Sequence, residues 1–312
     1  MQKILPSLVL ALVLISLSCK QNLAKSNINK DEVINHSLFI AGPDFTGILD
    51  ENFEVIWDSK MPRARDGFIL SNGNKLICWS DEVVEYDNRD AVVFSYKLSP
   101  LNEELGTAQR LKNGFTLITE LGENPRLLEV DSSGEIKVAV PLQPETDNAH
   151  MQTRMARKLS NGNYLVPHLL AFKVKEYSPA GEVVNEFKTD LDELGGRDAK
   201  NWPFTAIRLQ NGNTLINLTN GNKTIEVDAS GRVVWRIGNE DVEGDPFVDP
   251  CGAQRLTNGN TVIASYGAKE GIKLFEVTKE KEIVWSYSGP HRVHHFQILT
   301  TNGVSIIDAP LK

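Results

Sequence analysis

Leu209-Gln210-Asn211-Gly212-Asn213-Thr214-Leu215-Ile216 is a strand end, a tight turn and the start of a second strand. Asn-Gly flanked by apolar runs is the strongest short-range hairpin signal, because both residues tolerate the positive φ of a type I′ turn. The stretch is not alone. Asn-Gly recurs at Asn72-Gly73, Asn113-Gly114, Asn161-Gly162, Asn258-Gly259 and Asn302-Gly303, with successive spacings of 41, 48, 50, 47 and 44 residues. A leucine precedes each pair: Leu70, Leu111, Leu159, Leu209, Leu256 and Leu299. β-rich segments follow most of them, as in Lys75-Leu76-Ile77, Thr116-Leu117-Ile118 and Thr261-Val262-Ile263.

A second echo lies downstream of each hairpin. Glu129-Val130-Asp131-Ser132-Ser133-Gly134 returns as Glu226-Val227-Asp228-Ala229-Ser230-Gly231, and the strand after it ends Val233-Val234-Trp235 or Ile283-Val284-Trp285. Each unit thus holds four short strands, a to d, in about 45 residues, and nothing carries a sustained helical period. Four-stranded units at this period predict an all-β six-bladed β-propeller, since radial packing buries both faces of every sheet and leaves short edges. A solenoid is the alternative, with units that are usually shorter and poorer in hairpins. Ser37 to Ala41, Phe45 to Leu49 and Glu54 to Trp57 read as strands b, c and d of a blade lacking strand a. His294 to Leu299 reads as that missing strand, so the C-terminal strand closes the ring against the N-terminal blade. Val304 to Ile307 is surplus to this count and leaves seven blades open.

The 312 residues carry 33 Lys plus Arg against 41 Asp plus Glu, a formal net charge of −8, which argues against a polyanion or nucleic-acid binder. Residues 1–18 read as a signal peptide: a basic start at Lys3, then an apolar run from Ile4 to Leu17, too short to span a bilayer. Ser16-Leu17-Ser18-Cys19 resembles the lipobox of bacterial lipoproteins, with Ser16 where leucine is usual. That resemblance implies lipidation of Cys19, a tether over 19–35, the propeller over 36–312, and residence in the bacterial periplasm or at the outer membrane; ordinary secretion is the alternative. Cys78 and Cys251 fall in non-adjacent units and are expected to be two separate buried thiols.

Propeller geometry puts the Asn-Gly turns on one face and the starts of the innermost strands on the other, which we term the top. The residues there are polar. They include Arg63, Arg65 and Asp66, then Gln152 and Arg154, then Trp202, Asp249 and Cys251, and finally His291, Arg292, His294 and His295. His150 lies just upstream of its strand, and His168, ending a strand b, is expected on the same face. One reading is a polar plug that satisfies itself. The other is a funnel in which Arg65, Arg154 and Arg292 offer forked donors to a small anion, with His150, His168, Trp202 and His291 around it. Adjacent His294 and His295 point to opposite faces of a strand, and no metal-ligand spacing accompanies them, so no metal is expected. Trp57, Trp235 and Trp285 recur in strand d and should pack between blades. The Glu-Val-Asp acids are assigned to the turns between strands c and d.

The repeated Arg/Lys-Leu-x-Asn-Gly-Asn-x-Leu-Ile, with Glu-Val-Asp-x-x-Gly-x-Val-Val-Trp behind it, resembles the arylsulfotransferase-like propellers and the wider quinoprotein-like superfamily over about residues 36–312. The resemblance implies six blades and a channel histidine that accepts a sulfuryl group, placing His294 or His295 as nucleophile with Arg65, His150 and Arg154 as helpers. The Thr-Gly element of quinone-cofactor repeats is missing, so neither pyrroloquinoline quinone nor another cofactor is expected. Two function classes follow: a transferase or hydrolase using a funnel histidine, or a non-catalytic envelope scaffold that binds a protein partner. A monomer is expected in either case.

Overall fold

A computed structural model describes residues 33–307 and 310–312; the signal-peptide segment, Cys19 and the tether as far as residue 32 lie outside the described residues. Ile34–Lys312 forms six antiparallel sheets arranged as a β-propeller. The first blade is Asp66–Ile69, Lys75–Cys78, Glu82–Tyr86 and Val92–Lys97. The second spans Asn102–Pro141, the third Arg157–Lys188, the fourth Asn201–Gly238 and the fifth Pro250–Tyr287, each with the same a-b-c-d order. In the sixth, His295–Thr301 supplies strand a beside His36–Ala41, Thr46–Leu49 and Val55–Asp58. The register Leu38↔Ile298, Phe39↔Gln297, Ile40↔Phe296 and Ala41↔His295 closes the ring as the sequence predicts. Val304–Ser305 forms no seventh blade: it pairs with Thr300–Thr301 as a short fifth strand of the closing sheet.

The turns are a correction to the type I′ expectation. At Gly73, Gly114, Gly162, Gly212 and Gly259 only the glycine has positive φ, and the preceding asparagine does not. The Gly212 amide donates to the Leu209 carbonyl at 3.0 Å and the Leu209 amide to the Asn213 carbonyl at 2.8 Å. This is a type I turn ending in a left-handed glycine, the three-residue hairpin loop. Asn211 Oδ1 caps it by accepting from the Asn213 amide at 3.0 Å. Asn302 and Gly303 alone are both left-handed, at φ 48° and 78°, and form the two-residue turn between Thr301 and Val304.

Blades are joined by a repeated clasp. Glu176 on strand c of the third blade meets Arg208 of the fourth at 3.0 Å, and Glu226 meets Arg255 at 3.2 Å. Glu85 with Arg110 and Glu129 with Lys158 do the same at earlier seams. Asn163, Asn213 and Asn260 reach back from their turns to Glu176, Glu226 and Glu276 at 2.6–2.7 Å. Only the aspartates of the Glu-Val-Asp motifs serve the c–d turns: Asp228 Oδ1 accepts from the Ser230 and Arg232 amides. The glutamates belong to the seams, which corrects their assignment from sequence. Trp57 and Trp235 do bridge blades, donating to Asp90 and to the Lys279 carbonyl at 2.9 Å each.

Candidate functional site

The starts of the innermost strands and the b–c connections surround a top-face cavity of about 530 Å³, within the range of about 300–1,000 Å³ usual for small-ligand pockets. Its wall includes Arg63, Arg65, His150, Arg154, Trp202 and His294, with Asp249 and Cys251. The sequence-predicted groups Arg65, His150, Arg154, Trp202 and His294 therefore share one concavity.

Three of its charged or titratable wall groups meet at Glu104, which stands behind the lining. Arg65 Nη2 donates to Glu104 Oε2 at 2.7 Å and Arg154 Nη1 to Oε1 at 2.6 Å. His150 Nδ1 stands 3.3 Å from the same carboxylate, and Arg154 lies against its ring. Burial alone would raise the Glu104 pKa; the His150 hydrogen bond, Arg154 and Arg65 overcome it and hold the carboxyl below its ordinary value. Arg154 is pulled down to about 10, chiefly by burial and despite Glu104, so it stays cationic. One carboxylate thus fixes two guanidinium groups side by side.

His294 is held by its main chain and its ring. Its amide donates to the Ala41 carbonyl at 3.1 Å, its carbonyl accepts from Gly252 at 2.9 Å, and Nδ1 lies 3.2 Å from the Arg65 carbonyl. That carbonyl can only accept, so Nδ1 carries the proton and Nε2 keeps a lone pair. Burial, then His295, Arg154 and Arg65, push the imidazole well below its ordinary pKa and leave the ring neutral. Phe204 and Tyr266 meet it edge-on, at centroid distances of 5.0 and 5.1 Å. Gly252 is required beside it: a Cβ there would stand 2.9 Å from the His294 carbonyl oxygen.

Four predicted residues lie elsewhere. His168 is completely buried rather than on the top surface, with Nε2 3.0 Å from the Tyr177 hydroxyl. His291 stacks on Phe45 at 4.0 Å. Arg292 donates to the Tyr266 carbonyl at 2.9 Å and lies over that ring, bracing the wall from behind. His295 does not point to the opposite face from His294, as strand alternation would have it: the two rings stand edge to face at 5.0 Å and both meet Phe204, and His295 borders a buried cluster further along the innermost strands. There Asp66 accepts from Thr107 at 2.6 Å and Arg157 at 2.9 Å, while Lys312 Nζ donates to the Gly67 carbonyl at 2.7 Å. A polar plug and the funnel therefore both exist, stacked along the axis, but the plug does not satisfy itself fully: Arg157 Nη2 and His295 Nε2 have no hydrogen-bond partner among the described residues. Cys78 and Cys251 are separate buried thiols; burial drives the Cys251 thiol far above its ordinary pKa, which makes it a wall rather than a nucleophile.

Sequence reasoning missed Glu104, Phe204 and Tyr266. Five of the six blades gave a named mouth residue, and the second blade gave none; that gap was the signal for Glu104.

Residues 43–265 match the family described as Mal s 1 allergenic protein-like. The chain belongs to that family. This Mal s 1-like propeller is similar to a Bacteroides caccae protein of unknown function, with a TM-score of 0.72 and 21% identity over 84% of this chain and 98% of that one. It is also similar to virginiamycin B lyase from Staphylococcus aureus, at TM-score 0.57 and 14% identity over 82% and 85% of the two chains. A streptogramin B lyase matches at TM-score 0.58 and 13% identity over 83% and 85%. These likenesses establish the fold of the Mal s 1-like chain. Among curated proteins, none matches it.

Proposed function

We propose that the top-face funnel binds a small anionic or polar ligand through Arg65 and Arg154, with Nε2 of His294 facing the bound group. The observation that carries this reading is the shared Glu104 clamp, which holds two guanidinium groups at the mouth of a cavity on an otherwise acidic protein. A focused positive site on a negative body attracts a small anion without binding polyanions generally.

The same geometry supports group transfer or hydrolysis of the arylsulfotransferase-like kind. The Nε2 lone pair of His294 would attack the sulfur of an aryl sulfate. The sulfur–oxygen bond to the aryl group breaks, and the departing oxygen keeps the electron pair and takes a proton from solvent. Attack on sulfur by water or an acceptor hydroxyl then returns the pair to Nε2 and releases a proton. His294, not His295, is suited to this, since His295 is buried beyond the cavity. Histidine-dependent chemistry is known on a similar fold, where a His-to-Ala variant of virginiamycin B lyase is catalytically inactive. In this reading the chain is exported as a monomer and held at the bacterial periplasm or outer membrane through a lipidated Cys19; support comes from Ser16-Leu17-Ser18-Cys19, and Cys19→Ala should move it to the soluble fraction.

Calorimetry with p-nitrophenyl sulfate tests binding, and release of p-nitrophenol tests turnover. Arg154→Gln should weaken binding by about tenfold or more, whereas His294→Ala should abolish turnover and leave binding measurable. Turnover unchanged in His294→Ala would end the enzyme assignment. The second reading is a non-catalytic envelope scaffold. It is favoured by the apolar residues exposed on several outer strands, with Ile56 63% and Val92 60% accessible. Capture of a partner that survives Arg154→Gln and His294→Ala would support it.

A further inference from the structure

We infer that the funnel selects organic monoanions bearing a flat aromatic body, such as aryl sulfates, sulfonates or carboxylates, over dianionic phosphate monoesters and over bare inorganic anions. The inference rests on the reading of the funnel as an anion site and adds the ligand's charge and its other half.

Charge comes first. Two guanidinium groups, Arg65 and Arg154, face a single carboxylate, Glu104, which both of them grip. Arg63 and Asp249, which also line the cavity, carry opposite charges. His294 is neutral. Leaving His150 aside, the wall together with the carboxylate behind it therefore carries one net positive charge. A bound monoanion neutralises it, while a dianion leaves one negative charge in a partly desolvated site beside Glu104. Guanidinium donors on Arg65 not used by Glu104, and those of Arg154 used by neither Glu104 nor His150, remain to meet the ligand, because each fork has more donors than one carboxylate oxygen consumes.

Shape supplies the second half. Trp202 and Phe204 stand on the fourth blade and Tyr266 on the fifth, beside the polar lining of Thr219, Asn220 and Asp249. Met151 and Leu169 extend the same apolar wall, and Leu169, Phe204 and Cys251 form a buried cluster against which Trp202 and Tyr266 pack. Arg292 fixes Tyr266 from behind at 4.8 Å. Aromatic rings held by their own packing offer faces and edges to a planar guest at small entropic cost. A lone sulfate would leave that wall uncovered.

Calorimetry on the full chain at pH 8, where a phosphate monoester is dianionic, separates the possibilities with four probes: 2-naphthalenesulfonate, 2-naphthyl phosphate, 2-naphthol and inorganic sulfate. The sulfonate should bind about tenfold or more tightly than each of the others. Glu104→Gln adds one net positive charge and should shift the ratio toward the phosphate; Asp249→Asn does the same from the rim and serves if the first variant fails to fold. Trp202→Ala should weaken the sulfonate and spare inorganic sulfate. If naphthyl phosphate binds as tightly as the sulfonate, or inorganic sulfate does, the selectivity is overturned while the anion site stands. If none of the charged probes binds, the anion site itself is wrong.

Discussion

His36 Nε2 lies 2.7 Å from Glu276 Oε2, with both side chains wholly removed from solvent. This pair is the fifth of the interblade clasps, and it differs from the other four. Those use a lysine or arginine from the innermost strand of the next blade, whereas the closing blade has Ile298 at that place and reaches Glu276 from strand b instead. At the sixth seam, Ile48 and Ile69 stand at the equivalent positions and pack in one apolar cluster. At this position of the repeat the closing blade thus has a buried polar contact on one side and hydrocarbon on the other, while Gln254 accepts from the Ile298 amide at 2.8 Å and Gln297 bonds the Ile69 backbone across the same two seams.

His36→Ala should cost about 3 kcal/mol of stability, the range for removing one partner of a buried pair. Glu276 would keep Asn258 at 3.2 Å and Asn260 at 2.6 Å but lose its imidazole partner. Burial tends to raise the Glu276 pKa, and His36 with the two asparagines lowers it overall. A lowered carboxylate contributes stability above its unfolded pKa, and that contribution disappears as pH falls through the folded value. Urea midpoints at pH 7 and pH 4 check both points: the variant should lose more at pH 7 than at pH 4.

The hairpin turns make a sharper stability test. Gly212 has φ +88° and nothing within 4 Å of an added Cβ, so Gly212→Ala measures backbone strain alone, about 1 kcal/mol. Asn213→Ala removes a 2.6 Å donor from Glu226 at a seam and should cost about as much for a different reason. If the two sites act independently, the double variant should sum their thermal shifts; a marked shortfall would mean that turn and clasp form one unit.

Much of this architecture could be read from the chain. Leucine, Asn-Gly and the following β-rich triplet located each hairpin, and the orphan strands at the two ends gave the closure. The turn type could not be read, because Asn-Gly suits a two-residue loop as well as the last positions of a three-residue one; flanking hydrogen bonds such as Leu209 with Asn213 decide between them. Glu226 and Arg255 lie 29 residues apart and each looked local. Their pairing exists only once blades stand side by side. At the site, strand alternation sent His294 and His295 to opposite faces, but His294 lies just before the strand begins and the two rings meet edge to face at 5.0 Å. His168 was misplaced because the end of a strand b need not reach the surface when the next strand begins within five residues, at Lys173.

Buried histidines, His168 and His295 with His294 beside them, should make the fold acid-labile. Burial lowers His168 from 6.5 to about 3, with Lys175 adding to it. His295 likewise falls to about 3, mainly by burial, with Asp66 opposing. Both are neutral in the folded chain and protonated in the unfolded one between those limits, so unfolding takes up protons and stability falls as pH drops below 6.5. Each group contributes a slope of about 1.4 kcal/mol per pH unit. Denaturant midpoints from pH 7 to pH 4.5 should show the decline, and His168→Gln should reduce its steepness by one group's share.

The funnel should respond to pH differently from the fold around it. His294 is already neutral throughout the range in which an ordinary imidazole titrates, because burial and the nearby Arg154 and Arg65 disfavour its protonated form. Its Nε2 lone pair should therefore stay available as pH falls through that range. Arg154, at about 10, remains charged over the same interval, and Glu104, below its ordinary value, remains ionised. Binding of 2-naphthalenesulfonate, and any turnover of p-nitrophenyl sulfate, should change less than about threefold across that window, where loss of a base with an ordinary pKa would cost about tenfold per unit below it. His150 also touches Glu104, so the comparison belongs in a His150→Gln background as well as in the wild type. A tenfold fall between pH 6.5 and pH 5.5 that persists in His150→Gln and vanishes in His294→Ala would mean that His294 gains a proton in solution, and its part as an unprotonated base or nucleophile would have to be given up.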